Sequence, residues 1–143
     1  VIDPTMAILA TADPVMVPVI AALLILVMPK KGFRAISSVS LIGVAVNLCF
    51  SIYLFRKSAI LFIPWCGFGL DFSLKLYHFS SFILLATAVL SFLIVMYSFV
   101  FMRGREYSKQ FYLFLMLTVT MVNGAILANN LLLMLFFWEG LLI

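Results

Sequence analysis

One carboxylate stands inside an apolar run near the end of the sequence. Glu139 lies in NNLLLMLFFWEGLLI, nine residues after Asn130, and it is the only acid in that run. At about 1.5 Å of rise per helical residue it would lie ~13–14 Å deep, near the middle of a hydrocarbon core about 30 Å thick. Desolvation favours the protonated form of a carboxyl group and a cationic partner favours the ionised form, so a group poised between them can load and release a proton. We therefore predict that Glu139 handles protons or cations.

A structural role for Glu139 is the alternative. Its carboxyl could form a permanent buried ion pair or a hydrogen bond to a neighbouring helix. No Lys or Arg of this chain lies at a comparable depth in an apolar run. A cationic partner would therefore have to come from another segment or subunit.

Small and uncharged polar residues recur at helical spacing within three other apolar runs. In chain order they are Ser37, Ser40, Gly43, Asn47 and Ser51, then Ser80, Thr87, Ser91 and Ser98, then Thr120, Asn123, Gly124 and Ala128. Small residues let helix backbones approach, and hydroxyls can hydrogen-bond across helices, so the pattern predicts packing. The alternative is that some of these groups line a hydrated path. Asn123 is the strongest candidate for such a path, and Thr120 and Asn130 are further residues with either role.

The composition indicates what kind of protein carries these residues. Of 143 residues, 66% are hydrophobic and 10% are charged. Ordinary globular proteins have roughly 45–50% and about 25%. So few charges cannot cover a soluble surface over so much apolar side chain. The sequence therefore predicts an all-α membrane protein, a multi-span helical bundle, in contact with the lipid bilayer.

Apolar runs of about 20 residues give the expected arrangement of spans. We predict a single membrane domain over 1–143, with four transmembrane helices and the start of a fifth, at about 14–29, 36–55, 79–102, 111–128 and 131–143. Pro14 suits the head of the first helix, where a missing N–H breaks no hydrogen bond. Pro18, one turn later, is expected to add a mild kink. The sequence stops within an apolar run, so we expect it to be part of a longer protein.

The segment 58–78 between the second and third spans has a different pattern. Pro64, Gly67 and Gly69 are followed by strict alternation of polar and apolar residues from 71 to 77. A period of two bounded by turn residues predicts a short extended hairpin, here outside the bilayer. Trp65 and Tyr77 would lie at the level of the lipid headgroups.

Basic residues set the expected orientation. One side carries six, Lys30, Lys31, Arg34, Arg103, Arg105 and Lys109, and the other side carries three, Arg56, Lys57 and Lys75. The positive-inside rule then places the N-terminus outside and the six-base side in the cytoplasm or matrix. The net charge of +4 is explained by topology, so no nucleic-acid partner is predicted.

No cofactor site is predicted for this chain. Its two cysteines match no metal-ligand spacing, and there is no Ser-His-Asp set, phosphate loop, haem motif or iron–sulfur motif. A standalone membrane enzyme is disfavoured because no second convergent group accompanies Glu139. We therefore assign no catalytic residue, metal or cofactor to the chain.

The order of these features resembles the N-terminal part of the antiporter-like membrane subunits. Such subunits occur in respiratory complex I, energy-converting membrane hydrogenases and Mrp-type sodium/proton antiporters. The stretch 130–140, NLLLMLFFWEG, is similar to the family's fifth-helix segment, which starts with Asn-Leu-Leu and closes in Trp-Glu. The family also has an L-x-L-D-x-L-S signature entering helix three. Residues 74–80 here read LKLYHFS, with Tyr77 where the Asp is expected.

The resemblance implies a role for Glu139 and a setting for the chain. Glu139 corresponds to the family's mid-membrane glutamate, which pairs with a lysine on a seventh helix and takes part in proton transfer. The implied function is proton or sodium translocation within a redox-driven oxidoreductase complex, beside other membrane subunits in a prokaryotic inner membrane rather than the mitochondrial one. The alternatives are a structural or scaffolding subunit and an Mrp-type antiporter subunit that is not coupled to redox chemistry.

Overall fold

The chain folds into five helices and one two-stranded hairpin over the residues that the computed structural model describes, 4–29, 32–55, 59–64 and 71–142. In chain order the elements are α1 (Pro4–Val27), α2 (Phe33–Leu54), β1 (Ala59–Pro64), β2 (Asp71–Leu76), α3 (His78–Phe101), α4 (Ser108–Leu127) and α5 (Leu131–Gly140). The predictions for Lys30, Lys31, Arg56, Lys57, Trp65, Gly67, Gly69 and Ile143 lie outside the described residues.

The predicted all-α membrane fold is confirmed. Within the described ranges, α2, α3 and α4 are long and apolar enough to cross a bilayer, with 22, 24 and 20 residues. The apolar part of α1, Ala12–Val27, and α5 are shorter. The chain is a multi-pass membrane protein, and the count of four spans and the start of a fifth stays a prediction.

Helices α2, α3 and α4 begin and end within three residues of the predicted bounds, but α1 does not. It begins at Pro4, so both Pro14 and Pro18 lie inside the helix. The prediction that Pro14 heads the first helix is therefore wrong. Pro4 is the first described residue of α1, and the segment after it is rich in strong helix formers and continues without a break into the apolar run.

The helices form a bundle in which α1 packs against α2 and α4, α2 packs against α3, and α5 packs against α4. Close approach depends on small residues, as the stripes predicted. A Cβ built on Gly43 of α2 would lie 3.0 Å from the Cβ of Ala21 in α1. All five stripe residues of α2 are buried: Ser37, Ser40, Gly43, Asn47 and Ser51. The stripe on α2 is thus the face that meets its neighbours.

Lys109, predicted to act in setting topology, also ties two helices together. Its Nζ donates to the backbone oxygen of Leu26 at 2.9 Å and to that of Met28 at 2.6 Å. The last carbonyls of a helix have no intrahelical donor, and a cation is favoured near them. Lys109, at the start of α4, therefore caps the end of α1. This places the α1–α2 and α3–α4 connections at the same end of the bundle.

The predicted hairpin is present between α2 and α3. Strands β1 and β2 pair antiparallel, with Ala59 opposite Leu76 and Pro64 opposite Asp71. Leu74 and Leu76 are each only 1% exposed, so alternate residues of β2 pack inward on the helix ends. The hairpin thus closes the end of the bundle opposite Lys109.

Strand β2 also pairs with the connection between α4 and α5. Leu74 forms an isolated antiparallel bridge with Ala128. The backbone N–H of Asn129 donates to the oxygen of Ser73 at 3.0 Å, and the hydroxyl of Tyr77 donates to Oδ1 of Asn129 at 3.2 Å. The hairpin therefore holds the start of α5 in place.

Candidate functional site

The candidate site begins where α4 gives way to α5. Asn130 has extended backbone angles, φ −130° and ψ 154°, and its Oδ1 accepts a hydrogen bond from the N–H of Leu133 at 2.7 Å. This is the geometry of a helix N-cap, which satisfies one of the unpaired donors of the first turn. Asn130, predicted to line a path or to pack, thus defines where α5 starts and so where Glu139 lies along it.

One face of α5 packs on α4. Its buried residues, Leu133 and Phe137, are four apart and share a face of the helix. The ring of Phe137 lies directly over Gly124 of α4, where an added Cβ would overlap three ring carbons. A glycine is therefore required at this contact, and the predicted packing role of Gly124 is confirmed.

Glu139 lies on the uncovered part of α5. Its side chain is exposed, and so are those of its neighbours Phe136 and Trp138. Its carboxyl group forms no hydrogen bond or ion pair with any residue in the part of the chain that the structure describes. The buried face of α5 is thus complete without Glu139, and the carboxyl is presented outward among large apolar side chains.

An ionised carboxylate in hydrocarbon is strongly unfavourable. Insertion scales give about 2.5–3.5 kcal/mol for an acid at the centre of a spanning helix. That free energy is reduced when the carboxyl is protonated or when a polar partner covers it. A carboxyl on such a helix is accommodated in hydrocarbon by protonation, by a lasting polar partner, or by exchange between these two states.

Asn123 belongs to a separate, fully buried polar cluster. Its Nδ2 donates to the backbone oxygen of Pro14 at 2.6 Å and to Oδ1 of Asn47 at 3.2 Å, and both asparagines are 0% exposed. Within a helix the oxygen of Pro14 would accept from residue 18, but Pro18 has no N–H. Asn123 supplies the missing donor. The cluster therefore joins α1, α2 and α4 at the point where α1 loses a hydrogen bond.

Two polar atoms of this cluster have no hydrogen-bond partner among the described residues, Nδ2 of Asn47 and Oδ1 of Asn123. The opposite orientation of the Asn123 amide would bring two oxygens together at Pro14, so the amide direction is fixed by that contact. Asn47 was predicted as a member of the α2 stripe, with a packing or path-lining role, and not as a partner of Asn123. The pair of prolines four residues apart is the signal that could have identified the partner of Asn123.

Most hydroxyls of the small-residue stripes bond within their own helix. Donation to the backbone oxygen four residues earlier occurs at 2.6–2.9 Å for Ser37, Ser40, Ser51, Thr87, Ser91, Ser98 and Thr120. The expectation that hydroxyls bond across helices is therefore wrong for these residues, because the preceding turn already offers an acceptor. Ser81 does reach another element, the oxygen of Phe55 at 3.2 Å.

These placements separate the predicted site residues into two groups. Asn123 and Thr120 are buried in the bundle, at 0% and 3% exposure, whereas Glu139 faces outward from α5. No hydrogen bond joins Glu139 to Asn123 or Thr120. The predicted site residues therefore divide into an outward carboxyl on α5 and an internal amide cluster between α1, α2 and α4.

Comparison of the chain with protein-family models finds no match, and comparison with curated protein sequences finds none either.

Proposed function

We propose that this chain is an ion-translocating membrane subunit, the N-terminal part of an antiporter-like subunit in a redox-driven pumping complex. The observation that carries the proposal is the position of Glu139, a lone acid on an apolar helix with no partner among the described residues. The similarity of NLLLMLFFWEG at 130–140 to the family's fifth-helix segment supports it. The transported ion in this proposal is a proton or Na⁺.

In this mechanism Glu139 alternates between a neutral state and an ionised state paired with a cationic side chain. The partner is a lysine from a helix outside the described residues, in keeping with the family resemblance. Approach of the ammonium group favours the carboxylate, and its withdrawal favours proton uptake. Redox chemistry elsewhere in the complex drives that movement. The proposed location is a prokaryotic inner membrane with the N-terminus outside.

The proposal is tested by Glu139→Gln in the intact complex, reconstituted in sealed vesicles. Glutamine keeps the size of the side chain and cannot ionise. We expect ion pumping to fall at least tenfold, with redox turnover reduced or uncoupled. Glu106→Gln is the matched control, because Glu106 is an exposed acid in the α3–α4 connection and should leave pumping unchanged. Normal pumping by Glu139→Gln would contradict the proposal.

A structural subunit is the second candidate function. The stripe hydroxyls bond their own helices, and the α4–α5 contact is made by Gly124 and Phe137 without Glu139. A chain kept for packing alone should tolerate Glu139→Leu, because the α4–α5 contact does not use the carboxyl and an apolar side chain is favoured over a charged one in lipid. Assembly of the complex and its pumping would then both survive that substitution.

A further inference from the structure

An exposed cation–aromatic ladder runs from the last turns of α3 into the α3–α4 connection, at the end of the bundle where Lys109 lies. Tyr97, Phe101 and Arg105 are spaced four residues apart. The rings of Tyr97 and Phe101 stack with centroids 5.6 Å apart and planes 20° apart. The guanidinium carbon of Arg105 lies 4.3 Å from the centroid of the Phe101 ring. The three side chains therefore form one continuous strip.

The backbone holds Arg105 in this position. Gly104 has φ +78°, a left-handed conformation that turns the chain back on itself just before Arg105. The hydroxyl of Ser108 lies 2.8 Å from the oxygen of Met102 and 2.6 Å from that of Arg105, both of which can accept its hydrogen bond. Arg105 also donates from Nε to the oxygen of Phe101 at 3.2 Å. The orientation of its guanidinium is thus set before any ligand arrives.

The two terminal nitrogens of Arg105 are left available. Neither has a hydrogen-bond partner among the described residues, and the adjacent exposed Glu106 makes no ion pair with Arg105 there. A guanidinium fork with both terminal groups available matches the geometry of a phosphate. Stacking on Phe101 adds to this by holding the planar group still.

The surface beside this donor is apolar. Tyr97 is 68% exposed, Val100 77% and Phe101 49%. Among the described residues the charged side chains of this end are Arg34, Arg103, Arg105, Lys109 and the single acid Glu106, so the end carries a net positive charge. A phosphate with a long apolar chain next to it fits both features of this surface.

We propose that the ladder formed by Tyr97, Phe101 and Arg105 is a binding site for an anionic phospholipid of the surrounding bilayer. The phosphate accepts hydrogen bonds from the terminal nitrogens of Arg105, and one acyl chain lies along Phe101 and Tyr97. The excess of basic residues at this end favours an anionic headgroup over a zwitterionic one.

Native mass spectrometry of the full-length protein in detergent, titrated with phosphatidylglycerol, tests the proposal by counting single bound lipids. Arg105→Gln should weaken binding of the first lipid by at least about tenfold, because it removes the donors that hydrogen-bond the charged phosphate; this exceeds the roughly fivefold effect of one basic residue through surface charge alone. Phe101→Leu, which keeps an apolar side chain but removes the ring, should weaken it as well. Arg103→Gln is the matched control, since Arg103 is exposed on the same turn and makes no ring contact among the described residues.

Three results would overturn the proposal. Equal weakening by Arg103→Gln and Arg105→Gln would mean that lipid binding depends only on the total positive charge of this end of the bundle. An unchanged lipid affinity in Phe101→Leu would show that the Phe101 ring does not contribute to the site. Displacement of the lipid by an equal concentration of water-soluble glycerophosphoglycerol would identify a free-anion site instead.

Discussion

At the scale of single residues, a backbone defect in one helix and a side chain in another complement each other. Pro18 removes the N–H that would bond the oxygen of Pro14, and Asn123 restores a donor from α4 at 2.6 Å. An unpaired buried carbonyl typically costs about 1–3 kcal/mol. A buried asparagine in a membrane helix, which at first indicates a hydrated path, is here accounted for by a proline on a neighbouring helix.

The first prediction concerns Asn123→Leu, which removes the donor to Pro14 and to Asn47. We expect a loss of about 1–3 kcal/mol in the free energy of unfolding. Asn47→Leu should cost less, because Asn123 keeps its bond to Pro14. The measurement is thermal or denaturant unfolding of the purified protein in detergent.

A double-mutant cycle makes this prediction sharper. Pro18→Ala restores the N–H of residue 18, so the oxygen of Pro14 again has a donor within α1. The cost of Asn123→Leu should then fall in the Pro18→Ala background, and the two changes should not be additive. Strict additivity would show that Asn123 does not replace the missing helical donor.

At the scale of helices and strands, the contact of α5 with α4 is decided by one glycine. An alanine at 124 would place its Cβ inside the ring of Phe137. The ring is only 5% exposed and has little room to move aside, so we expect α5 to shift outward, at a cost of about 1–3 kcal/mol. Because α5 carries Glu139, the same shift should change the position of the carboxyl.

The second prediction is therefore that Gly124→Ala lowers the thermal stability of the protein more than Gly43→Ala does. The carbon added at 43 has one tight contact, the methyl group of Ala21 at 3.0 Å, and an ordinary contact with the sulfur of Met116 at 3.8 Å. Phe137→Leu, which replaces the ring by a smaller side chain, should recover part of the loss at 124. Equal costs at the two glycines, measured by unfolding in detergent, would contradict this account.

The elements differ in how well the sequence predicts them. Apolar runs closed by basic or polar residues placed α2, α3 and α4 within three residues, and period-two alternation gave the hairpin. The start of α1 was missed because Asp13 and Pro14 interrupt the apolar run without breaking the helix. The bridge from Leu74 to Ala128 and the bond from Asn123 to Pro14 join residues far apart in sequence, which local patterns cannot reveal.

At the scale of the whole molecule, the two ends of the bundle differ in chemistry. One end carries Lys109, Arg103, Arg105 and Arg34, and the other carries the hairpin and His78. Glu139, for which proton or Na⁺ transfer is proposed, lies between the two ends, on the uncovered face of α5. If the positive-inside rule applies, the basic end faces the cytoplasm and protons or Na⁺ would move between this end and the hairpin end.

The last prediction is this orientation, and single cysteines can test it. In a background with Cys49→Ser and Cys66→Ser, Arg103→Cys places a thiol at the basic end and His78→Cys places one at the hairpin end, both at exposed positions. A membrane-impermeant maleimide should label His78→Cys in intact spheroplasts and Arg103→Cys only in inverted vesicles, because the six bases of the basic end retain it in the cytoplasm. The reverse pattern would place the N-terminus inside. It would also place the basic end outside while leaving the bundle itself unchanged.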